Sequence, residues 1–375
     1  MRLKSPAIVG MVAAGALLLA ACGSSSTSSG TTSAAASGTT SAAASGSAAG
    51  GAAAGGKVGV ILPDTKSSAR WETQDRPALT KAFEAAGVEF DIQNANGDKA
   101  AMATIADQMI ANGATVLAIV NLDNESGAAI QTKAAAQGVQ TIDYDRLTLG
   151  GKADYYVSFD NVQVGREQGK GLDKCLGGGE KKIVFLNGSP SDSNAASFSQ
   201  GAHEVLDAIG TYTVVAEQSV PDWDNQQAGT IYEQIFTQQA GAIDGVLAAN
   251  DGLGNAAIAI NKKNGVQIPV TGQDATVQGL QNILAGDQCM TVFKDTNKEA
   301  AALAEVAIAL ANGETPQTTG TVNDATGNRE VAAILETPEG IFKENVKTVI
   351  DAGGATAAEV CAGEFAAACT QLGIS

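Results

Sequence analysis

Residues 141–146 read TIDYDR, an apolar approach that ends on two carboxylates and a guanidinium: Asp143, Asp145 and Arg146. A buried strand end avoids charges or pairs them off, so these three suit acid–base chemistry, a structural salt bridge or the grip of a polar ligand. Acid–base cleavage of a glycoside needs two carboxyls facing each other across the substrate. Asp143/Asp145, like Asp222/Asp224, are instead i, i+2 neighbours on one segment. The remaining catalytic repertoire is thin. One histidine, His203, leaves no room for sites built on several imidazoles, and no G-x-S-x-G nucleophile motif occurs. GREQGKG (165–171) is one residue short between its glycines for a P-loop and lacks Ser/Thr after the Lys. DWDNQ (222–226) resembles a calcium-ligand run only weakly. No catalytic residue, metal or cofactor is expected.

The elements that would position TIDYDR are legible from Lys57 onward. Short β-branched runs alternate with Ala-rich helical patterns: KVGVIL (57–62), VEFDIQNA (88–95), TVLAIVNL (115–122), GVQTIDYD (138–145) and YYVSFD (155–160). Later runs are KIVFLNG (182–188), YTVVAEQSV (212–220), DGVLAAND (244–251), IPVTGQD (268–274) and CMTVFKD (289–295). Strands apolar throughout, alternating with helices, predict parallel sheets covered on both faces, and about ten such units predict two doubly wound α/β domains. Asp64, Asn121, Asp145, Asp160, Asn187, Asn250, Asp251, Gln273, Asp274 and Lys294 all stand at or just past a strand's carboxyl end. Each Asn or Asp alone is equally at home as a turn residue or helix cap. As a set, they fall where open α/β sheets bind ligands.

The first 56 residues are of a different kind. Arg2 and Lys4 precede an apolar run to about Ala21, a pattern expected of an export signal spanning 1–21. The run ends LAAC, which resembles the lipobox of bacterial lipoproteins and implies a diacylated Cys22. Residues 22–56 continue as a Gly/Ser/Thr/Ala tether with TTSAAASG repeated and no large side chain to bury. Net charge is −17, and −17 − 2 = −19 without Arg2 and Lys4, which opposes a nucleic-acid partner. Four further cysteines, Cys175, Cys289, Cys361 and Cys369, permit three pairings, with Cys361–Cys369 preferred for their proximity.

KVGVILPDTKSSARWETQDRP, IQNANGD, VLAIVNLDN, TIDYDRL and YYVSFDNVQVG, followed by FLNGSPSDSNAASF, VPDWDNQQA, AANDGLGNAAIAI and TGQDATVQGLQNILAGDQCMTVFKDT, occur in an order that resembles the pentose- and hexose-binding proteins of ABC transporters, within them the D-xylose-binding proteins. The resemblance covers about 57–350 and implies a periplasmic binding protein of type I: two Rossmann-like lobes joined by three crossing segments. Carried over, it puts the first lobe at 57–158 plus 294–325 and the second at 161–291 plus 330–375, with crossings at FDN (159–161), near 292–295 and near 326–330. It further implies a monomer that binds one monosaccharide, D-xylose first among pentoses and hexoses, and delivers it to a permease–ATPase complex. A sugar- or autoinducer-sensing receptor is the alternative. A DNA-binding regulator of the same fold would need a helix-turn-helix where this chain has its leader and tether.

Sugar hydroxyls both donate and accept, so they suit carboxylates beside Arg or Lys, while sugar faces suit flat aromatic rings. By the resemblance, the first lobe offers Arg70, Trp71, Asp145 and Arg146, with Asp160 and Asn161 at a crossing. The second offers Asn194, Phe198, Trp223, Asn250, Asp251 and Asp274, and Lys294 returns at the next crossing. Asp143 is expected to support its neighbours rather than touch ligand.

Overall fold

A computed structural model describes residues 55–374, so the leader, Cys22 and nearly all of the tether lie outside the described residues. The first lobe opens as β1 (Lys57–Leu62), α1 (Arg76–Ala86), β2 (Phe90–Asn94), α2 (Lys99–Ala111), β3 (Ala114–Ile119), α3 (Asn124–Ala136), β4 (Gln140–Tyr144) and β5 (Tyr155–Phe159). The second follows as α4 (Asn161–Leu176), β6 (Lys181–Asn187), α5 (Ser193–Ile209), β7 (Tyr212–Ser219), α6 (Asn225–Gln238), β8 (Gly245–Ala248), α7 (Asp251–Lys263), α8 (Val277–Ala285) and β9 (Thr291–Phe293). The chain then returns to the first lobe as α9 (Thr296–Ala311), β10 (Gly320–Asp324) and β11 (Arg329–Glu336), and leaves again for β12 (Glu339–Ile341) and short helical turns over 343–371.

The first sheet has the order β10-β11-β5-β4-β3-β1-β2, parallel except for the β10–β11 hairpin. One face carries Leu79, Phe83 and Leu303; the other carries Met102, Met109 and Ile130. Cover on both faces accounts for the unbroken apolar strands, each large side chain contributing about 1.5–3 kcal/mol on burial. In the second lobe β7-β6-β8 is parallel, and β9 pairs antiparallel with β12. The two pieces join through 269–274, where the expected strand makes one bridge, Val246 to Val270, and backbone bonds such as Asp274 N to Val292 O (2.9 Å). Pro269 supplies no N–H, and Asp274 has φ 91°, so the ladder is irregular there.

Two expectations need correction. The third crossing was expected near 326–330, yet β11 pairs with β5 from Ala332 opposite Tyr155 to Glu336 opposite Phe159, so that passage falls between Glu336 and Glu339. Residues 330–336 therefore belong with the first sheet and not with the second lobe. Asp160 N donates to Glu336 O (2.9 Å), lacing the first and third crossings together.

GREQGKG (165–171) lies inside α4 and is a packing stripe. A Cβ on Gly165 would overlap the carbonyl of Phe198, and one on Gly201 would overlap the carbonyl of Val162, so α4 and α5 meet backbone to backbone. Gly201→Ala is expected to destabilise by about 1–3 kcal/mol, as overpacking does, read as a lower denaturant midpoint at unchanged slope. An unshifted midpoint would contradict this packing. Cys361 pairs with Cys369 as expected, and Cys175, at the end of α4, pairs with Cys289, just before β9.

Candidate functional site

The carboxyl ends of both parallel sheets face one cleft, and loops from the two lobes line a small inner cavity of about 30 Å³. Ten of the residues expected there are brought together: Arg70, Trp71, Asp145, Arg146, Asn194, Phe198, Trp223, Asn250, Asp274 and Lys294. Ser67, Ser68, Asp192 and Gln273 complete the lining.

After β1, the Asp64 carboxylate accepts from Lys66 N (2.7 Å) and Ser67 N (2.6 Å), folding the loop so that Ser67 can accept from Trp71 Nε1 (3.1 Å). A π-type turn at Trp71–Asp75 leads into α1 and sets Arg70 over the Trp71 ring, 4.4 Å from its centroid. Arg70 is the hub of the site. Its Nε and Nη2 donate to Asp75 (3.0 Å each), Nη1 donates to Asp145 (3.1 Å), and Nη2 also reaches Glu299 of α9. Tyr144 donates its hydroxyl to Asp75.

β4 ends because Asp145 takes φ 60°, which turns its side chain out of strand alternation and into the cleft. Its carbonyl accepts from Tyr156 (3.0 Å), Ser158 (2.7 Å) and Asn194 Nδ2 (2.9 Å). Lys294 Nζ stands 3.6 Å from both Asp145 and Asp274. Burial alone would raise the Asp145 carboxyl, but Lys294, Arg70 and Arg146 outweigh it and hold the group below its usual range. Burial likewise opposes the Lys294 charge, and Asp145 and Asp274 more than restore it. Arg146 neither pairs with Asp143 nor with Asp145: its Nε lies 2.9 Å from Asp192 across the cleft without hydrogen-bond alignment, and Nη1 donates to the Asn121 carbonyl (3.1 Å).

The second lobe supplies Asn194 and Phe198 from the first turns of α5, whose N-cap Asp192 also accepts from Trp223 Nε1 (3.1 Å). Trp223 and the residue before it, Asp222, both have φ 54°, a conformation costing of order 1–3 kcal/mol per residue. The turn leaves the indole packed where a Cβ on Gly188 would have to sit.

Three expected site residues are placed otherwise. Asp160 caps α4, accepting from Gln163 N (2.9 Å). Asn161 lies behind the lining, donating to Asn194 Oδ1 (2.9 Å) and Tyr156 (3.1 Å). Asp251 is buried in a network with Thr276, Gln288 and Thr291, and burial pushes its carboxyl up to about 6. Asp143 does support, but through the 147–153 loop: it accepts from Thr148 N (2.7 Å) and Gln131 (2.7 Å), and burial pushes it up to about 7. Asp192 lines the cavity although its place before α5 reads in sequence as an ordinary cap.

Glu299 is buried, and desolvation, only partly offset by Arg70, pushes its carboxyl up to about 8 from 4.5. The folded state thus keeps a proton that the unfolded chain has released, so stability falls as pH rises from about 4.5 to about 8. Asp143 and Asp251 act in the same direction. Glu299→Gln should shrink the drop in urea midpoint between pH 5 and pH 8; an undiminished drop would place that proton elsewhere.

A cleft between two α/β lobes, walled by strand ends and crossed three times by the chain, defines a periplasmic binding protein of type I fold. The chain belongs to the periplasmic binding protein family, whose domain model matches residues 58–315. It is homologous to the D-xylose-binding periplasmic protein of Escherichia coli K12, 33% identical over 79% of this chain and 90% of that protein. It is 35% identical to the multiple sugar-binding periplasmic protein SbpA of Azospirillum brasilense over 80% of this chain and 90% of that one. Among solved structures, the carbohydrate transporter solute binding protein from Chloroflexus aurantiacus in complex with D-glucose is 30% identical, with TM-score 0.74, covering 80% of this chain and 97% of that chain.

Proposed function

We propose that this protein is the extracytoplasmic sugar-binding component of an ABC importer, not an enzyme, and that its inner cavity takes one monosaccharide, D-xylose first among the candidates. The observation that carries the reading is the balance of the lining. Three carboxylates (Asp145, Asp192, Asp274) meet three cations (Arg70, Arg146, Lys294), with Trp71, Trp223 and Phe198 among them. A neutral polyol can exchange hydrogen bonds with all of these without leaving a net charge buried. An anionic or cationic ligand would upset that balance.

A cavity of about 30 Å³ has room for little more than a water molecule, so a sugar enters only when the lobes separate about the three crossings, and they close on it at a wider spacing than they have here. Contacts to both lobes then favour closure, because an open form can offer only one half of them. The closed form is what a permease would read. Export by the leader and anchorage through a lipid on Cys22 would keep the protein at the outer face of the membrane. Calorimetric titration with D-xylose, L-arabinose, D-ribose, D-galactose and D-glucose should give one ligand with a dissociation constant of about 1 μM or below, −8.2 kcal/mol or better, and the rest weaker. Heat with none of them would refute a monosaccharide site.

A further inference from the structure

Most hydrogen-bonding groups around the inner cavity are already spent on protein. Trp71 Nε1 donates to Ser67 and Trp223 Nε1 to Asp192 (3.1 Å each), and Arg70 serves three carboxylates. Asn194 Nδ2 donates to Asp145 while its Oδ1 accepts from Asn161. Three lining side chains are not spent in this way. Lys294 stands 3.6 Å from Asp145 and from Asp274, too far for a hydrogen bond, and the Asp274 carboxylate has no closer partner among the described residues.

Gln273 is the third. Its side chain is 3% exposed, makes no hydrogen bond among the described residues, and has Oε1 sealed from solvent. The backbone around it, by contrast, is pinned. Gln168 Nε2 donates to Gly272 O (3.2 Å), Asp251 N to Gln273 O (3.0 Å) and Asp274 N to Val292 O (2.9 Å). Successive side chains of a regular strand point to opposite faces, but φ 91° at Asp274 breaks that alternation, and Gln273 and Asp274 both line the cavity. A buried amide without a partner is a standing cost to the fold. One held rigidly at a cavity wall finds its partner in what the cavity takes up.

We propose that Gln273 is a sugar-contacting residue that selects the ligand by hydroxyl orientation, donating to one hydroxyl and accepting from its neighbour beside those held by Asp274 and Lys294; this rests on the inner cavity being the sugar site. A primary amide offers donor and acceptor in one plane. An epimer that turns one of the two hydroxyls away leaves one end of that amide unpaired, and sites built to bond a hydroxyl reject such analogues strongly.

The test is calorimetry with D-xylose, L-arabinose, D-ribose, D-galactose and D-glucose on the full chain and its Gln273→Met variant, alongside thermal melts without sugar. Methionine keeps the length of the side chain and removes both hydrogen-bonding ends. The best ligand should bind the variant about tenfold or more weakly, and its lead over the next-best sugar should shrink by about the same factor. The sugar-free melt should hold or rise, because the substitution deletes an unpaired amide; a residue kept for structure would lower it. Unchanged affinity, an equal loss across all the sugars, or a lowered sugar-free melt overturns the contact and leaves the inner site standing. Failure of every sugar to bind the wild type overturns the inner site, and the Gln273 contact with it.

Discussion

Arg70→Met is expected to lower the free energy of unfolding by about 3–5 kcal/mol, the range for removing one partner of a buried ion cluster. Arg70 holds Asp75, Asp145 and Glu299, and all four side chains are almost wholly shielded from water. Methionine keeps much of the volume but supplies no donor, so three carboxyl groups would share what Lys294 and Tyr144 can offer. Protonation is the escape open to them, and Glu299, already pushed up to about 8, would take it first. The loss should therefore be larger at pH 8 than at pH 5. Adding Glu299→Gln should restore part of the stability, because it deletes one of the stranded charges. Urea unfolding of the two single variants and the double variant at both pH values reads all of this. A near-wild-type midpoint for Arg70→Met would mean that the cluster is not held by its arginine.

Arg146→Ala is expected to weaken sugar binding by about tenfold to a hundredfold, 1.4–2.8 kcal/mol, while leaving the fold in place. Arg146 lines the inner cavity and touches both lobes: its guanidinium lies 5.9 Å from the Trp71 centroid and faces Asp192 of the second lobe. Unlike Arg70, it balances one carboxylate and not three, so its loss bears mainly on ligand and on closure. Burial already raises the Asp192 carboxyl, and Arg146 opposes that rise. In the variant Asp192 should take up a proton more readily, which limits the structural damage. Titration together with a thermal melt separates the two effects. Wild-type affinity in a folded variant would remove Arg146 from the site, and a melt lowered as far as in Arg70→Met would make it structural.

The readable parts of the fold were those whose burial writes itself into side-chain type. β1, KVGVIL, is apolar because helices cover both its faces, and that pattern predicts a parallel strand wherever it recurs. The β10–β11 hairpin lies outside the expected runs: β10, GTVND, is a mostly exposed edge strand with no apolar run, whereas β11, REVAAILE, has one that stands outside the regular alternation of strand and helix. The same logic divides the site. Asp145, Asp160 and Asp251 look alike in sequence, each a carboxylate at a strand end. Only the backbone turn at Asp145 aims its side chain into the cleft, whereas Asp160 caps a helix and Asp251 knits loops together. Order along the chain, TIDYDR then SFDN then SDSNAASF, carried more than any one residue could. It did not mark Asp192, which faces Arg146 from the other lobe, or Ser67, whose tie to Trp71 depends on how its own loop folds.

The β5–β11 pairing also bears on how the chain must assemble. Tyr155 waits for Ala332, 332 − 155 = 177 residues later, before that edge of the first sheet is closed. The whole run of strands β6 to β9 lies between the two partners in the chain, so the edge stays open until that run has been passed. An unpaired strand edge is the usual site of wrong pairing between chains. The hazard in making this protein thus lies in an early lobe left open while a later one completes itself first.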